Sequence, residues 1–126
     1  MSNHKIQEHI LVKKLKTTPI LSKDYRVGSN GSLWSAVFTF RSLSDSPSWM
    51  PTLALYGDLG YQRDESLPYL AKEVRDRDLY SAIFHVGDFA YDLYQRGGRQ
   101  GNDFMNSIER VAARVPYITC PGNHER

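Results

Sequence analysis

Cysteine is nearly missing from this chain. Cys120 is the only one, so no internal disulfide can form and no thiolate-rich zinc cluster can be built. An excess of charge of one sign is also missing. Sixteen Lys and Arg stand against fourteen Asp and Glu, and no basic run is long enough to track a nucleic-acid backbone, which argues against a nucleic-acid partner. No stretch approaches the roughly eighteen consecutive apolar residues of a membrane span. The opening Met1 to Lys16 is interrupted by Lys5, Glu8, Lys13 and Lys14, and reads as neither a transmembrane helix nor a signal peptide. Finally, no Gly-x-Gly-x-x-Gly follows the first apolar run. Gly57-Asp58-Leu59-Gly60 has another spacing and puts an anion where a pyrophosphate would sit, against a Rossmann-like nucleotide site.

What the chain does have is a repeated strand end. The apolar runs Thr52 to Tyr56, Ala82 to Val86 and Val115 to Thr119 are bounded by turn residues and read as buried strands. They close on Asp58-Leu59-Gly60, Gly87-Asp88-Phe89-Ala90-Tyr91 and Gly122-Asn123-His124-Glu125, thirty and thirty-five residues apart. Between them, Ser66 to Leu79 carries Leu67, Leu70, Ala71 and Val74 at helical spacing, with Pro68 in the first turn. Asp103 to Arg114 repeats the pattern with Phe104, Ile108, Val111 and Ala112, and Asn102 or Asp103 is the expected N-cap. Right-handed crossovers then make three parallel strands. Gln95 to Gly101 has no core pattern and is expected to be a mobile loop near the site.

The first part of the chain has a different period. Ile10 to Lys16 and Asp24 to Arg41, the latter divided by Gly28-Ser29-Asn30-Gly31, read as hairpins of an antiparallel sheet, with alternation over Ser35 to Phe40. Ser42-Leu43-Ser44-Asp45-Ser46-Pro47-Ser48 has linker composition and marks a domain boundary, giving domains 1–46 and 47–126.

In open α/β sheets ligands bind beyond the carboxyl ends of the strands, so Asp58, Asp88 and Asn123 would reach one edge as oxygen donors suited to a hard cation. Each motif alone is more often a turn or a helix cap than a ligand, and Tyr91 alone more often a core aromatic. The coincidence of three strand ends is what points to a metal site, and the adjacent glycines let backbone and ion approach closely.

The order Asp-x-Gly, Gly-Asp-x-x-Tyr, Gly-Asn-His-Glu resembles the purple acid phosphatases, dinuclear metallophosphoesterases. Many other metallophosphoesterases carry Asp-x-His first, whereas Gly60 stands in that place here and Tyr91 is available instead. The resemblance runs from Leu53 to Glu125. Tyr25-Arg26-Val27-Gly28 through Trp34-Ser35 to Phe38-Thr39-Phe40 is similar to the end of the fibronectin-like β domain that precedes the catalytic domain in larger members. The implied fold class is α/β, a partial metallophosphoesterase βαβαβ unit preceded by the C-terminal strands of a fibronectin-like β-sandwich domain.

By this resemblance Asp58 and Tyr91 bind a ferric ion, Asp88 bridges both metals, Asn123 binds a second divalent ion (zinc, manganese or iron), and His124 faces the substrate. The implied activity is acid hydrolysis of small phosphate monoesters. The resemblance also implies a secreted or lysosomal full-length protein and allows a homodimer. The Asn30-Gly31-Ser32 sequon would then be a glycosylation site. Family members also carry Val-x-x-His and Gly-His-x-His motifs supplying three histidine ligands. Neither is present, and His4, His9 and His85 precede the third motif. Arg126 follows that motif directly, so the chain is expected to be an N-terminal portion of the enzyme, inactive alone. The alternative is a catalytically inactive interaction module of the same fold. His85 is expected to be a buried structural histidine, Cys120 a small buried hydrophobe, Arg96 and Arg99 solvated loop residues, and Trp34 and Trp49 packing residues at the domain junction.

Overall fold

The computed structural model describes residues 11–17, 22–29, 33–61 and 65–125. The chain divides into two compact units, Met1–Ser42 and Leu43–Arg126. In the first, β1 (Leu11–Thr17), β2 (Ser22–Gly28) and β3 (Phe38–Arg41) pair antiparallel in sequence order, as the turn residues between them suggest. The alternation over Ser35 to Phe40 yields a strand only from Phe38. Ahead of it the chain folds back on β2: Ser35 N donates to Val27 O at 2.7 Å, and Val27 N donates to Ser35 Oγ at 2.9 Å. Trp34 bridges to Gly28, where any Cβ would meet the indole at 2.6 Å. The Arg26 guanidinium lies 4.5 Å over that ring, so Trp34 packs within this unit. The Asn30-Gly31-Ser32 sequon, His4 and His9 lie outside the described residues.

In the second unit β4 (Leu53–Tyr56), β5 (Ala82–Val86) and β6 (Tyr117–Cys120) form a parallel sheet in that order. α1 (Leu67–Lys72) follows β4, and α2 (Arg99–Ala112) follows β5. Leu67, Ala71 and Val74 from the first helical segment join Phe104, Ile108 and Val111 from α2 over Ile83, with Ala54, Tyr56 and Tyr117 alongside. Burying each large apolar side chain here contributes roughly 1.5–3 kcal/mol.

The other sheet face is open in these residues. Side chains alternate along a strand, so register places Leu55, Phe84 and Ile118 together, and Val86 beside Cys120. Leu53, Leu55, Val86 and Ile118 are all exposed. Cys120 is therefore exposed and not the buried hydrophobe expected, because it points to this face. Trp49 is exposed as well.

Two helix boundaries differ from expectation. The helix read over Ser66 to Leu79 is α-helical only to Lys72. It widens into a π-helical turn, Glu73–Arg77, and stops at Asp78, whose φ is 49°. α2 starts ahead of the expected Asn102 or Asp103 cap. Its N-cap is Gly98, at φ 85°, a left-handed conformation glycine adopts without steric cost. Gly101 fits in the first turn because its N–H donates to Leu93 O at 3.0 Å, and a Cβ would press on that same oxygen. Gln95 to Gly101 is thus a hydrogen-bonded turn entering a helix, not a structureless loop. In it Arg96 binds Asp103 at 2.8 Å.

Candidate functional site

The parallel order of β4, β5 and β6 brings the three motifs to one edge, and they meet backbone to backbone. Asp58 N donates to Gly87 O at 3.2 Å. A Cβ on Gly57 would lie 2.6 Å from Val86 O, and one on Gly87 would lie 2.7 Å from the Gly122 Cα. At Gly122 a Cβ would strike the Asp88 carboxylate and come within 2.6 Å of Asp88 N. Glycine is needed at these positions for close approach. Asp58 and Asp88 both hold left-handed backbone, φ 56° and 51°.

On the deep side Asp88 is nine-tenths buried, and its Oδ1 accepts the His124 N–H at 3.1 Å. The Glu125 carboxylate accepts three backbone N–H groups, from Asp88 at 2.9 Å, Phe89 at 2.8 Å and Gly122 at 2.8 Å. Burial pushes this carboxyl up, but the N–H donors together outweigh it and hold it below the usual carboxylate range. Glu125 thereby ties the second motif to the third.

On the shallow side Tyr91, itself at φ 51°, donates its Oη to Asp58 Oδ1 at 3.0 Å, and this bond raises the phenol's pKa. Gly60 lies against the Tyr91 ring. The His124 ring meets Tyr91 edge-on, with centroids 4.8 Å apart. His124 Nδ1 pairs with Asp92 Oδ1 at 3.0 Å, which raises the imidazole pKa and lowers that of Asp92. A cleft of about 500 Å³ opens beside Asp58, lined by Tyr56, Leu59, Ser66, Tyr69, Leu70 and Glu73 among others.

Beneath the edge His85 is 1% exposed, which lowers its pKa. Its Nδ1 shares a hydrogen bond with Tyr117 Oη at 2.8 Å, and Tyr117 Oη pairs with Tyr56 Oη at 2.8 Å. One ring nitrogen of the expected structural histidine is thus satisfied. The other, Nε2, is buried without a partner.

The structure thus brings Asp58 to Tyr91, Asp88 to the His124 backbone, and His124 to Tyr91. Asn123 begins a tight turn, Asn123–Glu125, and no hydrogen bond joins its side chain to the other three expected ligands. Among the described residues no three His, Cys, Asp or Glu side chains gather as a metal-binding group. The donor set is instead two carboxylates, a phenol and an amide, all oxygen-bearing, which suits a hard cation. Among the described residues no Lys or Arg pairs with the buried Asp88 carboxylate, and a buried anion needs a positive partner. On these grounds Asp58, Asp88 and Tyr91 fit a hard metal ion, and the donor set is short of nitrogen ligands for a second.

Sequence reading did not single out Glu125 or Asp92. Glu125 had a local signal: a carboxylate three residues after a turn-opening backbone N–H can reach back to it, as in a capping box. Asp92 had none, since its partner is distant in sequence.

Residues 51–126 match the family model of the calcineurin-like phosphoesterases, and the chain belongs to that family. Its relatives include acid phosphatases, and purple acid phosphatases, the branch that Gly60 and Tyr91 suggest, are among them. The chain is 50% identical over 107 residues to acid phosphatase type 7 of Danio rerio, which covers 85% of this chain and 24% of that protein. It is 46% identical over 110 residues to the Homo sapiens acid phosphatase type 7, covering 87% of this chain and 25% of the relative. Among solved structures it is similar to a purple acid phosphatase isolated from yellow lupin (Lupinus luteus) seeds, with a TM-score of 0.64 at 29% identity, covering 83% of this chain and 21% of the other. The chain therefore spans about a quarter of the length of the curated relatives it matches.

Proposed function

We propose that this chain supplies the oxygen-donor side of a dinuclear metal centre in an acid phosphatase that hydrolyses phosphate monoesters. The observation carrying this reading is Tyr91 Oη bonded to Asp58 Oδ1 at 3.0 Å, beside a buried Asp88 that pairs with no Lys or Arg among the described residues. Asp58 and Tyr91 would hold a ferric ion, Asp88 would be shared by both metals, and Asn123 would reach a second ion, zinc, manganese or iron. When bound, the ions supply the positive charge that orients the phosphoryl group, acidifies water and stabilises the leaving oxygen.

The protein's own residues prepare the rest. Asp92 engages His124 Nδ1, so Nε2 is the nitrogen left for substrate, and the pairing favours the charged imidazolium. A water oxygen would bond to phosphorus, losing a proton to solvent, as the phosphorus–oxygen ester bond breaks, and the departing oxygen would take the proton from His124 Nε2. Glu125 keeps Asp88 and Gly122 in fixed relation while this occurs.

In the same reading residues 1–46 are the end of a fibronectin-like β domain with its linker, and 47–126 the N-terminal part of the catalytic domain. The full-length protein would be secreted or lysosomal, consistent with the Asn30 sequon, and its histidine ligands would lie outside this sequence. The test is visible absorption of the purified chain with ferric ion added. A tyrosinate-to-iron charge-transfer band that disappears in Y91F is expected, and no band in the wild type overturns the ligand assignment. Turnover of p-nitrophenyl phosphate is expected only when the histidine-bearing segments are present. A complete protein that lacks both turnover and the band would be the inactive interaction module.

A further inference from the structure

Tyr91 is an improbable residue to find where it stands. It and Asp92 are consecutive non-glycine residues in left-handed backbone, φ 51° and 70°, a conformation that crowds Cβ against the carbonyl and persists only when neighbours hold it. Tyr91 is also exposed, so core packing does not hold it. The hydrogen bonds to its backbone carbonyls come from α2. Gln100 Nε2 donates to Ala90 O at 2.7 Å and to Tyr91 O at 2.5 Å. Both partners are carbonyl oxygens, so only the nitrogen end of the amide can face them, and its two hydrogens match two acceptors.

Gln100 is itself anchored. Its N–H reaches back to Gln95 O at 3.4 Å, and the neighbouring Gly101 N–H binds Leu93 O at 3.0 Å, so the turn carrying Tyr91 and the start of α2 form one hydrogen-bonded unit. A carboxylate at position 100 would oppose the two carbonyls, and a shorter side chain would not span to them.

We propose that Gln100 is a positioning residue for Tyr91, fixing the backbone of the turn so that the phenol oxygen is presented beside Asp58 for metal binding. The proposal rests on the reading of Tyr91 as a ligand. It predicts an effect on ion binding exerted through Tyr91 and not through the deep side, which is secured separately by Glu125.

The test uses the 126-residue chain and terbium(III) chloride, a trivalent oxygen-preferring ion whose luminescence is sensitised by a nearby tyrosine. The chain has 8 tyrosines, so the emission lost in Y91F isolates the share due to Tyr91. Q100A is expected to weaken terbium binding about tenfold, the usual scale for losing a group that orients a ligand, and to lower the Tyr91 emission. In the Y91F background the same change is expected to have no further effect. In the metal-free chain, nitrogen-15 relaxation is expected to show Ala90 to Asp92 loosened by Q100A while β5 stays rigid. Q100M, which keeps the length of the side chain and removes both donors, replaces Q100A if urea melts show that variant unfolded.

Wild-type terbium affinity in Q100A with a rigid Ala90 to Asp92 turn overturns the proposal. Equal weakening with and without Tyr91 also overturns it, since Gln100 would then act as general scaffolding. If D58N and D88N leave terbium binding unchanged, the metal reading fails and this proposal fails with it. If those two abolish binding while Q100A has no effect, only the role of Gln100 fails.

Discussion

The two sides of the candidate centre are held by different physics. On the deep side Asp88 is buried, glycine backbones touch, and one carboxylate, Glu125, accepts three backbone N–H groups. On the shallow side Asp58 and Tyr91 are exposed, their mutual bond is a single phenol–carboxylate contact, and the turn beneath is held by the Gln100 side chain. Disturbing the deep side should therefore register in folding, because it leaves buried groups clashing or unpaired. Disturbing the shallow side should register in ion binding and leave folding nearly untouched.

The variant that would most directly break this contrast is G87A. It adds a Cβ 2.7 Å from the Gly122 Cα, at a φ of 75° that disfavours alanine. A loss of about 3 kcal/mol in urea unfolding is expected, the upper range for overpacking, and a loss near zero would mean the strand ends are not in contact. E125A comes next. It strands three N–H donors and should cost about 2 kcal/mol by the same measurement, with faster hydrogen exchange at Asp88, Phe89 and Gly122. Y117F removes a hydroxyl bonded to both His85 and Tyr56 below the edge, and a loss of about 1 kcal/mol is expected. The smallest folding effect sharpens the contrast most. Y91F should leave the urea midpoint unchanged while removing the share of the terbium emission that Tyr91 sensitises, and a large stability loss would show the shallow side to be structural after all.

Much of this arrangement was legible in the chain because it is local. The runs ending at Tyr56, Val86 and Thr119 announced strands through β-branched and aromatic residues bounded by turn residues. Leu67, Ala71 and Val74, and Phe104, Ile108 and Val111, showed their buried faces through helical period. Gly60 and Tyr91 named the branch of the family. What sequence could not show was tertiary. Glu125 gains its role only when β5 and β6 lie side by side and bring Asp88 and Phe89 within reach. Cys120 looked like a core residue because residue type does not say which sheet face is covered. The start of α2 was misplaced because Gly97 and Gly98 read as loop, whereas Gly98 at φ 85° is what opens the helix.

The same glycines bear on how the chain meets a protease. In sequence, Arg96-Gly97-Gly98-Arg99 is the obvious place for trypsin to cut, rich in glycine and with Arg96, Gly97 and Arg99 exposed. Proteases bind substrates as extended strands, and Asp92, Arg96, Gly97 and Gly98 all have positive φ. Backbone bonds from Gln95 to Asp92 and from Gly98 to Tyr94 close the segment further. Cleavage there must wait for the turn to open, so the rate of nicking after Arg96 reports how often the segment between Tyr91 and α2 unfolds.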